Sequence, residues 1–73
     1  ETVTDPRFSS LTARELEILE ILSQGYSNRK IAAKLEISNN TVKFHLKNLY
    51  VKVQVDNRIQ AVAFYNKFYK EEV

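Results

Sequence analysis

Lys43 and Lys47 stand one helical turn apart, with Phe44 between them and Asn40 and Asn48 to either side. Two cations, two amides and an aromatic, with no acid among them, suit one chemistry above others. Cations neutralise phosphates, while amides and apolar groups address base edges. The residues belong to the stretch 38–53, SNNTVKFHLKNLYVKV. Placed at about 100° per residue, Val42, Leu46, Leu49 and Val53 fall at i, i+4, i+7 and i+11, an unbroken apolar stripe. Asn40, Lys43, Phe44, Lys47 and Asn48 crowd the opposite side. Ser38 can cap the start, its hydroxyl accepting from an N–H of the first turn. Mixed charges would suffice to keep an outer face soluble, so this composition reads as a recognition helix for nucleic acid. Phe44 would either touch a thymine methyl or simply cover the helix surface.

The remaining chain supplies elements to hold that helix. Thr12 and Glu15 in LTARE have the spacing of a capping box. Leu16, Ile18, Leu19, Ile21 and Leu22 then give a wide apolar face, and Gly25 can end the helix in the left-handed conformation. Ser27 opens a second, short helix through about Leu35, with Ile31 and Leu35 inward and Arg29, Lys30 and Lys34 outward. Glu36 and Ile37 lead directly to Ser38, so two short helices join through a tight turn. This is a helix-turn-helix by length and pattern. Asp56 is expected to cap a fourth helix over roughly 57–70, with Ile59, Val62, Tyr65 and Tyr69 turned inward. The expected fold is all-α, a four-helix bundle containing a helix-turn-helix over residues 11–70, with 1–10 as linker and 71–73 as tail.

Seventy-three residues make one domain, and no apolar run approaches membrane-spanning length. Without cysteine there is neither a disulfide framework nor a thiolate metal site, and no cofactor is expected. No methionine occurs, even at position 1, so the chain reads as a piece of a longer one. The net charge of +2 is unevenly spread. Residues 1–26 hold five acids and two bases, while 27–60 hold seven bases and two acids, which concentrates positive charge around the turn. An enzyme lacks its parts here. No nucleophile is paired with a base at a credible spacing, and the single glycine lies outside any phosphate loop. His45, the only histidine, has no partner to share a metal and reads as a packing or hydrogen-bonding residue.

LTARE, G-Y-S-N, I-A-x-x-L, I-S-x-x-T-V-K-x-H and N-R-x-x-A-V occur in this order from about Leu11 to Tyr65. Taken together they resemble the LuxR-type (NarL/FixJ-type) helix-turn-helix domain of bacterial transcription regulators. The resemblance implies a four-helix fold with its third helix in the major groove of double-stranded DNA. It also implies a cytoplasmic protein, weak homodimerisation through the fourth helix, and an upstream regulatory domain of the receiver type. Where that family has Lys-Leu-Gly-Val, this chain reads Lys52-Val53-Gln54-Val55, and a positive φ there would strain Gln54.

Asn40, Lys43, Phe44, Lys47 and Asn48 are therefore the candidate base readers. Thr41 and Asn28, each at a helix start, suit phosphate. Lys52 and Arg58 either touch phosphates or pair with acids such as Glu15. On the fourth helix Gln60, Ala63, Phe64 and Lys67 form a second stripe, expected to lie outside. Two copies crossing at Ala63 would bury both phenylalanines in one symmetric contact. The competing reading is a protein-interaction module that docks through exposed Phe44, Phe64 and Phe68.

Overall fold

A computed structural model of the chain describes residues 6–68. It comprises a 3-10 helix at Pro6–Ser10 followed by α1 (Ala13–Ser23), α2 (Asn28–Leu35), α3 (Asn39–Val53) and α4 (Arg58–Phe68). No strand occurs among the described residues. No helix among them is long and apolar enough to cross a membrane. Residues 1–5, the start of the expected linker, lie outside the described residues, as do 69–73, which include Tyr69 and the expected tail.

Each helix begins on a side chain that accepts one of its unpaired N–H groups. Thr12 and Glu15 form the full capping box, with the Glu15 amide donating to Thr12 Oγ1 at 3.1 Å and the Thr12 amide donating to Glu15 Oε1 at 3.0 Å. Ser27 caps α2 through the Lys30 amide at 3.2 Å, and Ser38 caps α3 through the Thr41 amide at 3.0 Å. α4 departs from expectation. Asn57, not Asp56, is its cap: Asn57 Oδ1 accepts from the Gln60 amide at 2.9 Å. Gln60 reaches back, its Oε1 accepting from the Asp56 amide at 2.8 Å.

α1 ends at Gly25, whose φ of +96° disfavours any other residue although there is open space where a side chain would be. α2 and α3 end alike, but on residues that are not glycine. Glu36 (φ 57°) and Gln54 (φ 63°) both adopt the left-handed conformation. The Ile37 amide donates to the Ala32 carbonyl and the Val55 amide to that of Tyr50, the Schellman closure in both cases. The glutamine that replaces the family glycine therefore carries the positive φ itself.

α1 touches all three other helices and so forms the centre of the bundle. Ile18, Leu19 and Leu22 of α1, Ile31 of α2, Val42, Leu49 and Val53 of α3 and Ala61 of α4 are fully buried, and Leu46 nearly so. The inner stripe expected of α3 is buried throughout.

The N-terminal side and α4 require two corrections. Residues 6–10 are not free linker: Phe8 is buried and its ring stacks on Phe64 with centroids 4.8 Å apart. Phe64 is in turn buried, with 5% of its surface exposed, whereas Ile59, expected inward, is 79% exposed. α4 turns Ala61 and Phe64 inward, with Tyr65 and Phe68 partly buried beside them. Those four positions have the i, i+3, i+4, i+7 spacing of a helix face. α4 packs chiefly on α1, and Phe8 extends that core and gives Phe64 an aromatic partner.

Candidate nucleic-acid interface

α3 has its apolar stripe against α1 and α2, and that burial decides what its other side presents. Asn40, Lys43 and Lys47 are exposed. Phe44 is 62% exposed, so its ring is open on the same side of the helix as the lysines. His45 is partly buried, and its ring meets that of Phe44 edge-on, with centroids 5.9 Å apart. Asn48 is only half-exposed, so its amide sits at the margin of the face. Val51, one further turn along, is 73% exposed and extends the face beyond the residues the sequence singled out.

α2 converges on this surface through Asn28 at its first position. A groove is lined by Asn28, by Lys43, Leu46, Lys47, Tyr50 and Val51 of α3, and by Val55 and Asp56 of the following loop. An adjoining depression shares Asn28, Leu46 and Tyr50 and adds Ser27, Arg29, Asn39 and Arg58. Asn28, assigned to phosphate on grounds of position alone, thus stands beside both lysines. Thr41 is half-buried, and its hydroxyl shares a 2.9 Å hydrogen bond with that of Ser38. Exposed Arg29, Lys30 and Lys34 continue the positive charge along α2, with Lys34 Nζ 5.0 Å from the Tyr26 ring centre.

The other proposed cations and the α4 stripe sort differently. Lys52 takes the second of its two expected roles, pairing with an acid: its Nζ lies 2.8 Å from Glu15 Oε1. Arg58 donates to the carbonyl of Tyr26 and fastens the start of α4 to the turn between α1 and α2. Burial raises the Tyr50 hydroxyl above its ordinary value, and the positive charge of Arg58 partly offsets this. Among the expected interface residues of α4, Gln60, Ala63 and Lys67 are exposed, but Phe64 belongs to the core. An aromatic docking surface built on Phe64 is thereby removed. The sequence does not single out Tyr50 and Asn39, which lie at the boundary between inner and outer faces. Nor does it single out Val51, which faces outward but is apolar and offers no polar chemistry to mark it.

Comparison with known proteins agrees with this geometry. Residues 9–65 match GerE, the bacterial regulatory proteins of the luxR family. The chain is 53% identical over 68 residues to the probable transcriptional regulatory protein SgaR of Hyphomicrobium methylovorum, covering 93% of this chain and 32% of that protein. It is 49% identical over 61 residues to the nitrate/nitrite response regulator protein NarP of Escherichia coli K12, covering 84% and 28%. The chain therefore spans about a third of the length of these curated relatives. Among solved structures, the response regulator ChrA of a heme-sensing two-component system superposes with a TM-score of 0.74 at 54% identity, over 78% of this chain and 28% of that one. A chain from the complex of the anti-activator RapF with the response regulator ComA DNA-binding domain also gives 0.74, at 32% identity, over 78% of this chain and 98% of that one. A capped pair of helices, an acid-free outer face on the second of them, and likeness along most of the chain lead to one assignment: this chain belongs to the luxR family of bacterial regulatory proteins, as a DNA-binding helix-turn-helix output domain.

Proposed function

We propose that α3 lies in the major groove of double-stranded DNA, with Lys43, Phe44, Lys47 and Asn40 directed at base edges and Asn48 and Val51 at the rim. The observation that carries this reading is the division of α3, whose buried side is wholly apolar and whose exposed side holds cations, amides and Phe44 without one acid. Asn28 at the start of α2 and Thr41 at the start of α3 take phosphates, where N–H groups and helix dipoles favour anions. Arg29 and Arg58 line the depression that continues from Asn28 and add to the backbone contact. In the longer protein this output domain follows a regulatory domain of the receiver type and works in the cytoplasm, where the DNA is. Two copies pair weakly through the exposed residues of α4, now Ile59, Gln60, Ala63 and Lys67 instead of a pair of Phe64 rings. Such pairing calls for two half-sites about one helical turn apart.

The test is direct. Duplexes selected by the chain from a random pool provide a probe, and fluorescence anisotropy measures affinity. Lys43→Ala and Lys47→Ala should each weaken binding by about 1–3 kcal/mol, unequally at different base pairs. Binding should also fall steeply between about 50 and 200 mM salt, as phosphate-dominated association does. Undiminished affinity in the double variant would remove α3 from the groove. Affinity indifferent to salt would favour an apolar protein partner instead.

A further inference from the structure

The Schellman closure of α3 uses the carbonyls of Tyr50 and Val51, which accept from the Val55 amide at 2.9 Å and the Gln54 amide at 3.3 Å. The two carbonyls that follow, those of Lys52 and Val53, have no place in the helical ladder. That of Val53 accepts from Arg7 Nη1 at 2.9 Å, across 46 positions of sequence. The same guanidinium lies over the Phe64 ring, 4.4 Å from its centre, and 5.5 Å from that of Phe68. One side chain ahead of α1 therefore joins the last turn of α3 to the inner face of α4. Arginine suits this junction for three reasons. It meets the negative end of the α3 dipole with a positive charge, its fork reaches a carbonyl while its plane stacks on rings, and it does not deprotonate. Phe8 seats the segment by stacking on the same Phe64 ring. Arg7 and Phe8 both precede the residues that match the family, 9–65.

We infer that Arg7 is a positioning residue for DNA recognition, holding the carbonyl end of α3 against α4 and so setting the angle at which the outer face of α3 meets the groove. The inference rests on the proposed placement of α3. From Val53 back to Lys43 is about 15 Å of helix. Arg7 acts through that lever: a small tilt at the anchored end displaces Lys43 and Lys47 relative to the bases. Base contacts demand alignment, whereas phosphate contacts tolerate a change of angle. Arg7 thus governs selectivity more than overall attraction.

The experiment compares Arg7→Met and Arg7→Lys with wild type in the intact chain, on the duplex selected from the random pool and on a scrambled duplex of equal length. Arg7→Met removes charge, fork and stacking, and Arg7→Lys keeps only the charge. For Arg7→Met the expected result is an about tenfold loss on the selected duplex, the size of one misaligned base contact. Its affinity for the scrambled duplex and its salt dependence should stay as in wild type, with Arg7→Lys in between. Full selectivity in Arg7→Met overturns the inference. So does an equal loss on both duplexes with a shallower salt dependence, which marks Arg7 as a phosphate contact. A loss that only tracks the unfolded fraction in thermal melts overturns it too, as a purely structural role. If Arg7→Met melts below assay temperature, unchanged selectivity in Arg7→Lys is the overturning result. The Lys43→Ala, Lys47→Ala variant separates the two proposals, because undiminished binding there defeats the placement of α3 and not the Arg7 lever alone.

Discussion

Lys52 Nζ lies 2.8 Å from Oε1 of Glu15, and that same oxygen accepts the Thr12 amide at 3.0 Å. A single carboxylate therefore completes the cap of α1 and ties down the last turn of α3. Glu15 is buried, with 4% of its surface exposed, so these partners are what allow it to remain charged there.

This arrangement predicts a pH dependence. Burial alone would raise the Glu15 carboxyl, but the hydrogen bonds and charge of Lys52, with those of Thr12, outweigh it and hold the group below its ordinary 4.5. A carboxyl lowered on folding contributes stability that is present above its unfolded value and lost as pH falls through the folded one. Glu15→Gln should then cost about 1–3 kcal/mol at neutral pH. The gap from wild type should narrow as the pH drops below 4.5. Urea melts of both proteins over that range measure it, and a constant gap would contradict the pair's role.

Gln54 holds φ 63° and ψ 46° at the end of α3, a conformation that a side chain disfavours. Gln54→Gly should stabilise the domain by up to about 1 kcal/mol, less what glycine loses in unfolded-chain entropy. Gln54→Val, branched at Cβ, should destabilise it. Thermal melts that ranked the valine variant above the glycine variant would show that the left-handed cap is not maintained.

The two faces of α3 predict opposite responses to truncation. Leu46→Ala leaves a cavity beside α1 and α2 and should cost roughly 2–5 kcal/mol. Phe44→Ala removes a ring that is 62% exposed. Its cost should be within about 0.5 kcal/mol. Comparable shifts in melting temperature would mean the faces are wrongly assigned.

α4 offers a similar contrast. Phe64→Asp puts a charge between Phe8 and α4 and should unfold the chain, as circular dichroism would report. Ile59→Asp alters a residue that is 79% exposed and should leave the melting temperature almost unchanged. If α4 pairs two copies on DNA, Ile59→Asp should also abolish cooperative occupation of adjacent half-sites in a footprint. Retained cooperativity would move the contact elsewhere.

What the sequence made legible follows from how far apart the interacting residues are. The start and inner stripe of α3 could be read directly, because Ser38 lies three residues from Thr41 and the stripe repeats every turn. The cap of α4 was ambiguous by chemistry: Asp56 and Asn57 are adjacent and equally able to accept, and only the seating of Gln60 against both decides. Lys52 with Glu15 spans 37 positions and Arg7 with Val53 spans 46, distances over which no spacing rule operates. The 3-10 helix at Pro6–Ser10 is too short to show a period, so Phe8 looked like a linker residue. On α4 the spacing of Ile59, Val62 and Tyr65 competed with that of Ala61, Phe64 and Phe68. A partner for Phe64 in the 3-10 helix was not visible to decide between them.

Phe8 has a consequence for inheritance. It stands one residue before the stretch this chain shares with its family, yet its ring is part of the core. A recombination joint placed at the edge of sequence likeness would deliver four helices with a hole the shape of a phenyl ring, at a cost of about 3–5 kcal/mol. The portable unit is therefore longer than the recognisable one. A transplant onto a foreign receiver would be expected to work when it begins before Pro6 and to arrive loosened when it begins at Ser9.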